Sequence, residues 1–357
     1  MERMRVPSSD TGAGVQSVMG NVRTDVSVRF HECSTPPFVQ GALETLYESP
    51  YSTLAQFQCK SGASLAHVHT YVADRAGKPC AILLFRLDGH VIKVLNEVMT
   101  IGGADIERFV KHVFEKFASA SVIAFHAIRP DGTPRAYLCH RFDVSEDIVL
   151  SLPASEEEYV AALGKSTRRT IRYYSNKLKR EFPSFRHQVF TRGDITREHM
   201  RAIVDMKAAE MTKKHRRSIV DEETVDQMVR MARSYGIVGI ATIDGKICGG
   251  WIAYRVGSND FMDMCAYDPG YEEFRLGTIC CYLAIVDCIA HGGKECHFQW
   301  GQDEYKFRFL GVQRNLADLV IFRSPLSMLV HGGRFWRPAA RHLQRKVENT
   351  AKRFRGS

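Results

Sequence analysis

The 357-residue chain has no Cys-x-x-Cys pair, and none of its cysteines and histidines follow the spacing of a metal site. His67 and His69 sit one residue apart without a third ligand nearby, so no metal is expected. Cys280 and Cys281 are adjacent, and Cys248, Cys265 and Cys288 lie among apolar residues. Such cysteines are expected to be reduced, buried small hydrophobes, as in a cytoplasmic protein. The first residues, Met-Glu-Arg-Met-Arg followed by small polar residues, lack the apolar core of a secretory signal. No run approaches the ~20 apolar residues that span a bilayer. The expectation is a cytoplasmic protein that touches the inner membrane face peripherally at most.

What is present fits a globular protein of two ordinary domains, with 45% hydrophobic and 25% charged residues. The net charge is +9, and residues 334–357 supply +7 of it, with eight Lys/Arg against one Glu. That tail is either a solvated helix or a contact for an anionic membrane face, glycan or nucleic acid.

Along the chain, residues 1–25 are small and polar and are expected to be disordered. A strand (26–30), a helix (38–47), three β-like runs (66–73, 78–86, 90–97), a helix (104–118) and strands at 121–128 and 147–152 follow. Arg75-Ala76-Gly77 and Asp88-Gly89 read as hairpin turns. The second half gives helices at 196–214 and 221–234, then strands at 236–243 and 246–256 turning through Asp244-Gly245. The order of elements repeats, although no sequence similarity between the halves is visible. The expected divisions are 26–152, a connecting helical segment at 153–184, 185–324, and a basic tail at 325–357. In the connector Ser155 reads as an N-cap with acidic residues behind it, and Gly164 separates two helices. The second helix is basic, carrying Lys165, Arg168, Arg169, Arg172, Lys177, Lys179 and Arg180. It is either a solvated face or a wall beside a cleft. A further cluster, Lys213 to Arg217, ends the next long helix.

The stretch Asn259–Leu310 organises the rest. It reads as a strand to Tyr267, a break at Asp268-Pro269-Gly270, a helix beginning near Gly277 and ending at Gly292-Gly293, and a strand from Glu295 to Trp300. A strand–loop–helix junction of this kind leaves backbone N–H groups at the positive end of a helix, which suits a phosphate. Thr100–Asp105, with two glycines before a helix, offers a weaker version in the first half.

This stretch is followed by Gly301-x-x-x-Tyr305-Lys306, and the basic helix begins Ser166-x-Arg168-Arg169-x-Ile171-Arg172. Both resemble signatures of the CelD-like, cellulose-biosynthesis-type group of GNAT acyltransferases, over about residues 150–322. The resemblance implies an α/β (α+β) fold of two tandem GNAT-like domains, as in the Fem aminoacyl transferases. Each would be a mixed, mostly antiparallel sheet flanked by helices, the first without a working cofactor site. It implies transfer of an acyl group from acyl-CoA or acetyl-CoA, without a metal, to an amine or hydroxyl on a sugar or envelope precursor. Longer acyl-CoA, an acyl carrier protein or aminoacyl-tRNA remain open as donors, and a non-catalytic binding module is the alternative to an enzyme. Nucleic acid enters only as tRNA. In this reading the donor lies along Cys265, Ala266 and Tyr267. Phe274, Arg275, Leu276, Gly277 and Thr278 cradle its pyrophosphate, although the usual GNAT glycine spacing is displaced. Arg168, Arg169, Arg172 and Trp300 meet the acceptor. Asp263, Asp303, Tyr305 and Lys306 are the catalytic candidates, with His297 and Glu210 as further possible bases. Asp263 is expected to share a strand face with Phe261 and Cys265.

Overall fold

The computed structural model describes residues 26–60, 65–213 and 221–333. The expectations for residues 1–25, for Lys214 to Arg217 and for the tail 334–357 lie outside the described residues.

The first half contains β1 (Val26–His31), α1 (Phe38–Tyr47), α2 (Leu54–Lys60), β2 (His69–Arg75), β3 (Lys78–Asp88), β4 (Val91–Val94), β5 (Thr100–Gly102), α3 (Gly103–Lys116), β6 (Val122–Asp131) and β7 (Leu138–Ser151). Two connecting helices follow, α4 (Glu156–Ala162) and α5 (Lys165–Glu181). Ser155 caps α4, accepting from the Glu158 N–H at 3.2 Å. The second half has β8 (Arg186–Thr191), α6 (Arg197–Lys213), α7 (Glu222–Tyr235), β9 (Gly236–Ile243), β10 (Lys246–Val256), β11 (Asn259–Tyr267), α8 (Leu276–Ala290), β12 (Glu295–His297), α9 (Glu304–Arg308) and β13 (Val312–Phe322). Residues 325–333 are helical.

The local chemistry explains these elements. Ala76 and Gly77, and again Asp244 and Gly245, take positive φ, as a tight hairpin requires. On α3 the positions Ile106, Phe109, Val110 and Val113 recur at helical spacing, and all four are buried. Helix α8 is apolar nearly all round because it packs on the sheet on one side and on α4 and α5 on the other. The predicted strand 295–300 is shorter than expected and stops at His297, for a reason given by the site.

All strands but β5 lie on one path, β1-β2-β3-β4-β6-β13-β7-β12-β11-β10-β9-β8, with β5 pairing β6. The halves exchange strands. β13 of the second half lies between β6 and β7 of the first, and β7 lies between β13 and β12. The β7–β13 ladder runs from Val312 opposite Val149 to Phe322 opposite Leu138. Separate apolar cores cover the two faces of each half. In the second half one core lies under α4, α5 and α8 with Trp251 fully buried, and the other lies under α6 and α7.

Candidate active site

β11 and β12 run parallel only from Asn259 opposite Glu295 to Phe261 opposite His297. Beyond that point they part. The chain after His297 stays with β7, where Phe298 N–H donates to Ile148 O at 2.7 Å and Ile148 N–H to Gln299 O at 3.2 Å. Gln299 adopts a positive φ of 56°, which turns it away from β11 and ends the strand early. β11 continues to Tyr267 with β10 beside it but without β12, so β11 and β12 form a fork.

Side chains fasten the root of the fork. Gln299 Nε2 donates to Met262 O at 3.0 Å, and its Oε1 accepts from the Tyr51 hydroxyl of the first half. Lys306 on α9 is only 3% exposed, and its Nζ donates to Gln299 O at 3.4 Å and to Trp300 O. Burial pulls the Lys306 ammonium below the usual lysine range, against the pull of Asp303, Asp147 and Glu146. Its ammonium thus fixes the second prong rather than facing an open cleft. Asp303 precedes α9, and Trp300 stands 48% exposed on the lip with its ring 5.4 Å from Tyr51.

At the open end on the α8 side lies a cavity of about 220 Å³ lined by Cys265, Tyr267, Arg275, Gly277, Thr278 and Tyr305, with Lys207 and Glu210 from α6. Arg275 takes a left-handed conformation, and α8 starts immediately after it. The first N–H groups of α8, from Leu276 and Gly277, have no acceptor within the helix. Gly277 admits no side chain there, because a Cβ would stand 2.7 Å from the Tyr267 ring. The cavity wall mixes charges, since Lys207 pairs with Glu210 at 2.9 Å and Lys213 with Glu272 at 2.5 Å. Burial pushes the Cys265 thiol up to about 12, so it is not a thiolate at neutral pH. Burial, reinforced by nearby thiols and the carboxylates of Asp303 and Glu210, keeps the Tyr305 hydroxyl protonated and able to donate.

On the other face of β11, a cavity of about 290 Å³ opens between the halves. Tyr51, Gln56 and Lys60 of the first half line it with Thr224, Gln227, Tyr254 and Asp263 of the second. The register of β11 against β10 slips between Ile252 and Ala253, which leaves Asp263 as the extra residue of a bulge. The bulge corrects the expected strand face. Asp263 lines this cavity, whereas Cys265 lines the one beneath α8. Asp263 reaches solvent through the mouth, but crowding by protein raises its carboxyl from 3.8 to about 6.

One other expectation is corrected. Arg168 and Arg172 line a groove between α4, α5 and α8, and Arg169 is exposed on the same helix, so none of them lines either fork cavity. Phe274 and Ala266 are core side chains; Phe274 lies under the Lys177 ammonium at 4.4 Å and Ala266 packs beneath α6 and α7. In the first half the equivalent gap is filled, because β5 pairs with β6 from Thr100–Arg129 to Gly102–Asp131. A Cβ on Gly103 would stand 3.1 Å from the Gly132 backbone, so the chain itself occupies the start of α3.

Sequence reasoning missed a charged cluster at the fork root. His297 Nδ1 lies 2.6 Å from Asp147 Oδ2, and its ring stacks on Phe261 at 4.0 Å. Glu295 Oε2 is 3.4 Å from His297 Nε2, and Arg314 grips Glu295 with two bonds of 2.8 and 2.6 Å. Burial disfavours the imidazolium, but Asp147 and Glu295 outweigh it and raise the His297 pKa. Asp147, on β7, is 150 residues from His297, and no spacing signal links them.

Residues 165–307 match the acetyltransferase (GNAT) domain family. The match covers α5 to α9 and includes both prongs of the fork. Among solved structures the chain is similar to that of FemX, with a TM-score of 0.61 and 9% identity, covering 85% of this chain and 99% of that one. This likeness shows the fold, a tandem GNAT-like arrangement with a mixed sheet flanked by helices. Looser likenesses are a tandem GNAT protein from the clavulanic acid biosynthesis pathway (TM-score 0.41, 9% identity, 84% of this chain and 99% of that) and L-PGS from Bacillus licheniformis (0.42, 13%, 71% and 85%). No curated protein matches the chain. Among the described residues no cluster suits a metal ion, and no helix is long and apolar enough to cross a membrane. All ten cysteines are unpaired.

Proposed function

We propose that the chain is an acyltransferase moving an acyl group from an acyl-thioester, acyl-CoA first among them, to an amine or hydroxyl held between its halves. The observation that carries this reading is the fork. One face offers a helix N-terminus suited to a pyrophosphate. The other offers the Asp263 carboxyl, raised to about 6, two residues along β11 from Cys265 of the first cavity. Leu276, Gly277 and Thr278 receive the pyrophosphate with Arg275 and Lys207 beside it, and the thioester lies along β11. Backbone N–H groups of β11 polarise its carbonyl. The acceptor nitrogen or oxygen attacks the carbonyl carbon and gives its proton to Asp263, and the carbon–sulfur bond breaks. Tyr305 protonates the departing thiolate. Lys306 and Asp303 act by setting the lip, and Trp300 covers the acceptor. Residues 185–324 form the transferase half. Residues 26–152 supply Tyr51 and the acceptor wall, joined through 153–184.

The resemblance of Ser166–Arg172 and Gly301–Lys306 to the CelD-like group supports a sugar or envelope-precursor acceptor. A second donor, aminoacyl-tRNA as in the Fem group, is favoured by the likeness to FemX over 85% of the chain. Calorimetric titration with acetyl-CoA, a long-chain acyl-CoA and free CoA separates the donors. A thioester donor gives roughly micromolar binding that Gly277→Asp abolishes. A folded protein that binds none of the three, yet forms a salt-sensitive complex with aminoacyl-tRNA, reverses the donor assignment.

A further inference from the structure

A cavity of about 780 Å³ lies between α4, α5 and α8, away from both faces of the fork. Leu163, Ile171, Leu178 and Ile279 are buried behind its floor, on which Val160, Phe185, Tyr282 and Leu283 keep part of their apolar surface open. Along its α5 edge run Arg172 and Lys179, which have no hydrogen-bond or ion-pair partner among the described residues. On the α4 edge the acids are engaged. Glu156 accepts from the Tyr282 hydroxyl, and backbone and Ser155 hydrogen bonds at the start of α4 hold the Glu157 carboxyl below its usual range.

We propose that this groove binds a single alkyl chain bearing an anionic head, a carboxylate or a phosphate. The chain lies on the apolar floor and the head meets Arg172 and Lys179. A pocket of this size with an apolar lining and a few convergent charges has the form of a small-molecule site. An alkyl chain lies along the part-exposed apolar surface of Val160, Phe185 and Leu283. The two open cations give the head charge-assisted hydrogen bonds that a neutral head cannot make. The site is independent of the acyl-transfer reading, although α8 serves both cavities: Gly277 and Thr278 face the donor cavity, while Ile279 and Leu283 face this groove.

The test titrates the full chain with dodecanoate, dodecyl phosphate and the uncharged dodecyl maltoside, each as monomer. Both anions are expected to bind, and the neutral probe at least about tenfold more weakly. The double variant Arg172→Gln/Lys179→Gln should weaken the anions to the level of the neutral probe. Leu283→Trp, which fills the groove, should abolish all three while circular dichroism and melting stay near the parent. No binding of either anion, equal binding of the neutral probe, or binding untouched by Leu283→Trp would each overturn the proposal.

Discussion

Replacing Asp263 with asparagine tests the proposed base in two opposite directions. Its raised carboxyl means that folding favours the protonated form; the associated stability is present below the unfolded value of 3.8 and lost as pH rises through about 6. Asp263→Asn is therefore expected to be more stable than the parent at pH 7 in urea unfolding. The same change should lower turnover at least 100-fold and remove the rise in rate through about pH 6. An unchanged rate would exclude Asp263 as the base. Lys306 invites a different test. Lys306→Met keeps the buried stem but takes the ammonium from the Trp300 and Gln299 carbonyls, the latter keeping only the Ile148 N–H, and should cost about 1–3 kcal/mol in urea unfolding. Unaltered stability would return Lys306 to a purely chemical role. Residue type made Asp263 a candidate in the sequence, and the resemblance made Tyr305 and Lys306 candidates. Their directions were not legible there, because the bulge in β11 and the burial of α9 depend on neighbours far along the chain.

Among the elements, the hairpins and long helices were readable because local rules govern them. Helix α1 and strands β9 and β10 fall within their predicted bounds. The short α2, the polar edge strand β8 and the three-residue β5 were not read, since tertiary pairing rather than pattern stabilises them. The cap of α4 offers a local check. Ser155→Ala should lower stability by about 1 kcal/mol, read as a shifted urea midpoint with an unchanged slope. The basic helix α5 shows where pattern misleads. Its cations mark a face, but only the packing of α5 on α8 decides that the face borders a groove outside the fork.

In the whole molecule, the exchange of β7 and β13 ties the halves together, and the cluster of Asp147, His297, Glu295 and Arg314 sits at that seam. The raised His297 pKa adds stability that is fully present below about pH 6.5 and is lost as pH rises through the folded value. Urea midpoints should thus fall as the solution is made alkaline, and Asp147→Asn should reduce that dependence. An identical pH profile in the variant would remove the pair from the account. By itself the sequence determined most of the longer elements, the repeat of their order and the strand–helix junction at Gly277, because hydrophobic period, turn residues and helix ends act over a few positions; β13 was not among them. Only the tertiary structure decided that the first half fills its own gap, that β11 forks from β12, and that Tyr51 and Asp147 fasten the root of that fork. The first two rest on strand pairings 29 and 36 positions apart and the third on polar contacts 150 and 248 positions apart, which no local pattern encodes.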